Sequence, residues 1–212
     1  MSDRLEEREE NVRPKPEPEI TQLRTAEAEE LAAPEDPEPE APREPEPEHA
    51  PGRFDIPAGY KVVTGSADGE GRAVGVVVAK FNGEITSRLL ERALEALESA
   101  GVPRESVTIV PVPGAFELPL AAMALAKTRQ YACIVALGCV VRGETAHFDF
   151  IAGEAASGLQ LAAIETGVPV AFGVLTTETI EQAEARIDRV GDVVRGALEM
   201  ANVFQQLRAA AK

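Results

Sequence analysis

The sequence predicts an α/β fold, a three-layer sandwich in which a four-stranded parallel sheet carries helices on both faces, with one further edge strand at its amino side. Three observations lead there. From Phe54 onward, four short apolar runs alternate with segments whose apolar residues recur at helical spacing. The first of these runs, AVGVVVA at 73–79, is continuously apolar, the pattern of a strand covered on both faces. Glycine or proline then closes the helical segments, where the chain must turn back for the next strand.

Residues 1–50 are of another kind. They hold 17 Asp and Glu against 6 Lys and Arg, 9 of the 16 prolines and no aromatic residue, so 11 of the chain's 15 net negative charges lie there. The repeat PEDPEPEAPREPEPE, 34–48, excludes helix and sheet because proline lacks a backbone donor and fixes φ, and like charges stretch the chain. We expect a disordered acidic Pro/Glu-rich extension over 1–50 and one domain over 51–212. The sign of the charge disfavours nucleic acid and anionic membrane as partners. No window approaches the roughly 18 apolar residues of a membrane span, and the opening MSDRLEEREE is acidic where a signal peptide is basic and then apolar. The expectation is a cytoplasmic protein.

Within the body, FDIPAGYKVVTGS, 54–66, has no helix of its own and reads as an edge strand, in this sheet or on a neighbour. GSADGEGR, 65–72, reads as a turn. AVGVVVA, 73–79, is the first strand of the parallel sheet. Asn82 can cap the following helix, in which Ile85, Leu89, Ala93 and Leu97 recur every fourth residue until Gly101 and Pro103 end it. VTIVPV, 107–112, is the second strand, and PGAFELPLAAMALAK, 113–127, the second helix. Residues 132–140 form the third strand, 148–166 a helix ended by Gly167, and PVAFGVLT, 169–176, the fourth strand. Thr177, with Glu178 and Glu181, starts a final helical region interrupted near Gly191.

Cys133 and Cys139 fall in one strand, about 20 Å apart, too far to pair, and read as small buried residues. A metal site is not expected, since His49 and His147 are the only imidazoles and no Cys or His cluster exists.

In parallel sheets ligands bind at the carboxyl ends of the strands, and several chemistry-bearing residues gather there. They are Phe81 and Asn82; Gly114, Ala115, Phe116 and Glu117; Arg142 through His147; and Phe172 with Thr176 and Thr177. His147 is the body's only imidazole and stands at a helix start, suited to moving protons near neutral pH, although a lone histidine can equally be structural. The amides of Gly143, Glu144 and Thr145 could bind an anion, or the stretch could be a self-capped turn. Arg186 reads as an intrahelical partner of Glu178, Glu181 or Glu184. Phe81, Phe116 and Phe172 fit either a core or a sandwich around a flat heterocycle.

KFN at 80–82, PGAFELP at 113–119, LGCVVRGETAHFDF at 137–150 and FGVLTTETIEQAEAR at 172–186 closely resemble the lumazine synthase family. The resemblance runs from about Ala73 to Asn202 and does not cover 1–50. It implies a flavodoxin-like fold and a transferase of riboflavin biosynthesis, which joins 5-amino-6-(D-ribitylamino)uracil to 3,4-dihydroxy-2-butanone 4-phosphate without a cofactor. It further implies that Phe81 and Phe172 enclose the pyrimidine ring, and that Ala115, Phe116 and Glu117 with Cys139, Val140 and Val141 hold that substrate. Glu144, Thr145 and Arg186 would receive the phosphate, and His147 would shuttle protons.

By the same resemblance the site lies between subunits of a homopentamer, with Phe172 and Arg186 facing the neighbour's histidine. Some members build a sixty-subunit icosahedral shell, and association with riboflavin synthase is a further implied partner. One departure stands out. Between Arg186 and the Glu199-Met200-Ala201-Asn202 segment the family carries a longer stretch with a Gly-Asn-Lys-Gly loop, whose lysine approaches the phosphate. Here 187–202 is shorter and lacks it, leaving Arg189 and Arg195 as candidates to replace it. That departure keeps open an alternative, a pentameric or shell-forming structural or carrier protein with weak catalysis.

Overall fold

The structure, a computed structural model, describes residues 55–211. The predicted extension 1–50, with His49, lies outside them. Four strands, β1 (Val74–Ala79), β2 (Val107–Val112), β3 (Cys133–Val141) and β4 (Val170–Thr177), form one parallel sheet in the order β2-β1-β3-β4. The helices are α1 (Gly83–Ser99), α2 (Leu118–Lys127), α3 (His147–Thr166), the short α4 (Ile180–Glu184) and α5 (Val190–Ala210). The predicted sandwich is therefore the observed one.

Side-chain alternation divides two cores. Val74, Val76 and Val78 of β1, with Cys133, Val135 and Leu137 of β3, face α1 and α5. Val77 and Ala79, with Ile134 and Ala136, face α2 and α3. Both faces are covered, so β1 is buried along its whole length, as its uninterrupted apolar run requires. β2 is an edge strand and tolerates Pro111, which has no amide to donate. Ile85, Leu89, Ala93 and Leu97 are the buried stripe of α1. That helix ends in a Schellman motif, with Gly101 at φ 88° and the Val102 amide donating to the Leu97 carbonyl. Between α2 and α3 a Cβ built on Gly158 would lie 2.7 Å from Pro119 Cβ, so only glycine allows this close approach.

Four local expectations change. Residues 55–66 add no strand to this sheet; Ser66 and Thr64 instead bond through their backbone to Asn202 and Gln206 of α5. Asn82 stands at the cap position of α1, but its side chain makes no cap bond. The cap of α4 is Thr179, whose hydroxyl accepts the Gln182 amide, whereas Thr177 closes β4. The break in the last helical region falls at 185–189, with Gly191 inside α5. Thr177 is still drawn by the apolar run of β4, which delays the helix by two residues.

Candidate active site

β1 and β3 are adjacent, while the chain passes from β1 out to β2 and back, so the crevice between their carboxyl ends is a topological switch point. A cavity of about 620 Å³ opens there, large enough for a small organic substrate.

Its first wall is the end of β1. The Lys80 and Phe81 amides donate to the Val112 and Pro113 carbonyls, carrying the β1–β2 ladder past the strand ends and setting Phe81 beside the 113–117 turn. Asn82 then takes a left-handed conformation, φ 56° and ψ 47°, and its Nδ2 donates to the Cys139 carbonyl at 2.9 Å. Asparagine tolerates this region better than most residues, and here its amide ties β1 to β3 across the switch point. Phe81 is 70% exposed and Phe116 56%, so the described residues leave most of the aromatic lip open.

The second wall is the 113–117 turn. Glu117 Oε2 accepts the Gly114 amide at 2.9 Å, which closes the turn and leaves Oε1 to accept from a ligand. The floor is the end of β3, where Cys139, Val140 and Val141 line the cavity. Burial pushes the Cys139 thiol from its ordinary 9.0 up to about 11, so it is a neutral wall near pH 7 and no nucleophile.

The third wall is the 142–148 turn with the start of α3. Arg142 fixes it. Its guanidinium forks onto the Asp149 carboxylate at 3.0 and 3.3 Å, reaches Glu178 at 2.8 Å and lies 4.1 Å from the Phe148 ring centroid. The bonds to Asp149 and then Glu178 hold its pKa above the ordinary value. One side chain thereby joins β3, the first turn of α3 and the β4–α4 connection. His147, the first residue of α3, is exposed and lines the cavity together with Thr145, whose hydroxyl accepts the His147 amide at 3.4 Å.

Among the residues singled out from sequence, Phe81, Ala115, Phe116, Glu117, Cys139, Val140, Val141, Thr145 and His147 share this one cavity. Glu144, Phe172 and Arg186 do not line it. Phe172 lies in the middle of β4, opposite Ala136, and not at a strand end. Arg186 donates through Nη1 to the Gln182 carbonyl at 2.9 Å, at the break after α4. Gly143 lines the cavity, yet the 143–145 amides precede the helix, which starts at His147. Arg189 and Arg195 are also absent from the lining, and Arg195 pairs with Asp192. Sequence reasoning passed over Pro113, Phe148 and Ile151 as wall residues, and Arg142 as their organiser. The signal for Arg142 was its place between a strand end and an Asp seven residues on. Among the described residues no His, Cys, Asp and Glu group could hold a metal, and no helix is long and apolar enough to cross a membrane.

Comparison with known proteins gives two findings. A family model described as 6,7-dimethyl-8-ribityllumazine synthase matches residues 71–205. A 6,7-dimethyl-8-ribityllumazine synthase from Desulfatibacillum aliphaticivorans is 42% identical over 156 residues, which spans 70% of this chain and 99% of that protein.

Proposed function

The chain belongs to the 6,7-dimethyl-8-ribityllumazine synthase family, and from that premise we propose that the cavity between the ends of β1 and β3 is its catalytic site. The protein is a transferase of riboflavin biosynthesis that condenses 5-amino-6-(D-ribitylamino)uracil with 3,4-dihydroxy-2-butanone 4-phosphate, releasing phosphate. The observation that carries the site is the meeting of an exposed aromatic lip, a carboxylate oxygen and the body's one imidazole in a single cavity.

In this reading the pyrimidine lies against Phe81 and Phe116, since a flat heterocycle gains from stacking as well as from burial. Glu117 Oε1 accepts hydroxyls of the ribityl chain, and the backbone of 139–141 borders the ring. Holding the amine beside the carbonyl removes most of the entropic cost of imine formation. His147 moves protons during imine formation, phosphate loss and ring closure. Glu144, Thr145 and Arg186 receive the phosphate, with Arg186 stabilising the departing charge.

Arg186 and Phe172 stand away from their own chain's cavity, so the reading includes a second copy that supplies them. Apolar side chains left exposed, Leu120, Phe150, Leu161, Ile164 and Phe172, suit contacts between copies. We take the unit to be a homopentamer in the cytoplasm, able to be a building block of a shell, with riboflavin synthase as the partner that consumes the product. Residues 1–50 are a separate acidic extension whose deletion leaves turnover nearly unchanged. Mixing the purified protein with both substrates and following lumazine fluorescence tests the site: wild type accelerates the condensation, and Phe81→Ala raises KM for the pyrimidine. A Phe81→Ala enzyme with unaltered KM would remove the ring from this cavity.

A further inference from the structure

A second cavity, of about 510 Å³, opens at the opposite, amino end of the sheet. Arg72 and Ala73 lead into β1, Arg129 to Ala132 lead into β3, and Phe204, Gln205 and Arg208 come from the last turns of α5. Three guanidiniums, Arg72, Arg129 and Arg208, face one carboxylate, Glu70, around it. The lining is thus net positive in a chain of net charge −15.

Two of these arginines are held in place by neutral acceptors. Arg72 donates to the Asp68 carbonyl at 2.7 Å and to Gln205 Oε1 at 2.9 Å, which leaves Gln205 Nε2 as a donor. Arg208 donates to the Gly167 carbonyl and lies over Phe204. A carbonyl or amide acceptor fixes a guanidinium without neutralising it, and each retains further N–H donors.

The third arginine is informative through its backbone. Arg129 holds φ 60°, and Asn82 is the only other non-glycine residue with positive φ among the described residues. Asn82 lines the candidate active site; Arg129 lines this cavity. Arg129 follows the last turn of α2, the position where glycine relieves the strain that a Cβ brings. A strained arginine at a glycine position retains its side chain at a cost in stability, and that cost needs a reason.

We propose that this amino-end cavity binds a small phosphate-bearing anion, with Arg72, Arg129 and Arg208 as its donors. Guanidinium forks match phosphate oxygens, and the half-buried Tyr131 adds a hydroxyl donor and a ring beside them. The site is independent of the catalytic reading, since none of its residues touches the other cavity.

The test is calorimetric titration of the full chain with inorganic pyrophosphate and, separately, with ADP. It is carried out on Arg186→Ala protein so that phosphate binding at the proposed catalytic site is weakened. Arg129→Gly, which removes the guanidinium and relieves the backbone, is expected to weaken binding about 10-fold, the usual loss of one charge-assisted contact, without lowering turnover in otherwise wild-type protein. Arg208→Gln should do the same. Tighter binding of ADP than of pyrophosphate assigns a nucleotide ligand that also uses Tyr131 or Phe204; equal binding assigns the free inorganic anion. Unchanged affinity in Arg129→Gly would overturn the proposal, as would an equal loss in Arg104→Ala, which removes a guanidinium outside this cavity.

Discussion

The two ends of the sheet carry cavities of similar size and opposite character. At the carboxyl end, about 620 Å³ is walled by phenylalanines, valines and one imidazole; at the amino end, about 510 Å³ is ringed by arginines. Parallel topology explains the contrast. Every strand runs the same way, so helices begin at one end, where amides and positive partial charge point outward. They finish at the other, where carbonyls point outward and cations are welcome. The arginine on the carbonyl of Gly167, the residue that caps the end of α3, is an instance of the second kind. A catalytic end therefore comes with the fold, while the cationic end has to be distinguished from simple helix capping by what else it binds.

β3 runs between the two ends and has a cysteine near each, which provides the largest expected effect. Burial raises Cys133 from 9.0 to about 12 and Cys139 to about 11. Folding thus favours the neutral thiol. That contribution is full below about pH 9, where the unfolded chain is also neutral, and is lost as pH rises toward the folded values. The loss is on the order of 1 kcal/mol per pH unit for each group within its window. Denaturant melts of Cys133→Ala between pH 9 and 12 should show a flatter decline than wild type, and Cys139→Ala a benefit that ends near pH 11. Equal slopes in all three proteins would mean that the thiols are not buried as described.

At the carboxyl end alone, His147→Ala should lower kcat about 10²-fold with little change in melting temperature, because the side chain is exposed. A variant that loses stability as much as activity would make His147 a structural residue. Next in size, Arg186→Ala should raise KM for the butanone phosphate about 10-fold and leave KM for the pyrimidine unaltered. Equal effects on both substrates would remove Arg186 from the phosphate.

The sequence disclosed the strands and the carboxyl-end residues for a physical reason. β1 and β3 are covered on both faces, so their apolar runs are unbroken and their ends unambiguous. Local competition hid the rest. Asn82 has the chemistry of a helix cap, but the Cys139 carbonyl, brought near only by the β1–β3 pairing, takes its amide. Thr177 and Thr179 are equally good caps by type, and only the ladder of β4 decides between them. Phe172 is no strand-end residue: the run 169–176 already puts it inside the strand, and the pairing with Ala136 agrees. For Arg142 the sequence spacing points only to Asp149; Glu178, 36 residues on, is brought to it by the β3–β4 pairing.

The smallest expected effect bears on the least expected residue. If Arg129 is kept at a glycine position for its side chain, then Arg129→Gly should cost nothing in folding and gain stability, since the glycine removes left-handed strain. The gain is partly offset by the greater freedom of the unfolded chain, which leaves on the order of 0.5 kcal/mol. Asn82→Gly supplies the matched case at the other end. There the side chain bonds the Cys139 carbonyl, so the relieved strain is opposed by a lost hydrogen bond of about 1 kcal/mol, and stability should fall. Urea melts of the two variants therefore carry opposite signs. A destabilised Arg129→Gly would show that its guanidinium supports the fold, and the cationic end would then be helix capping rather than a binding site.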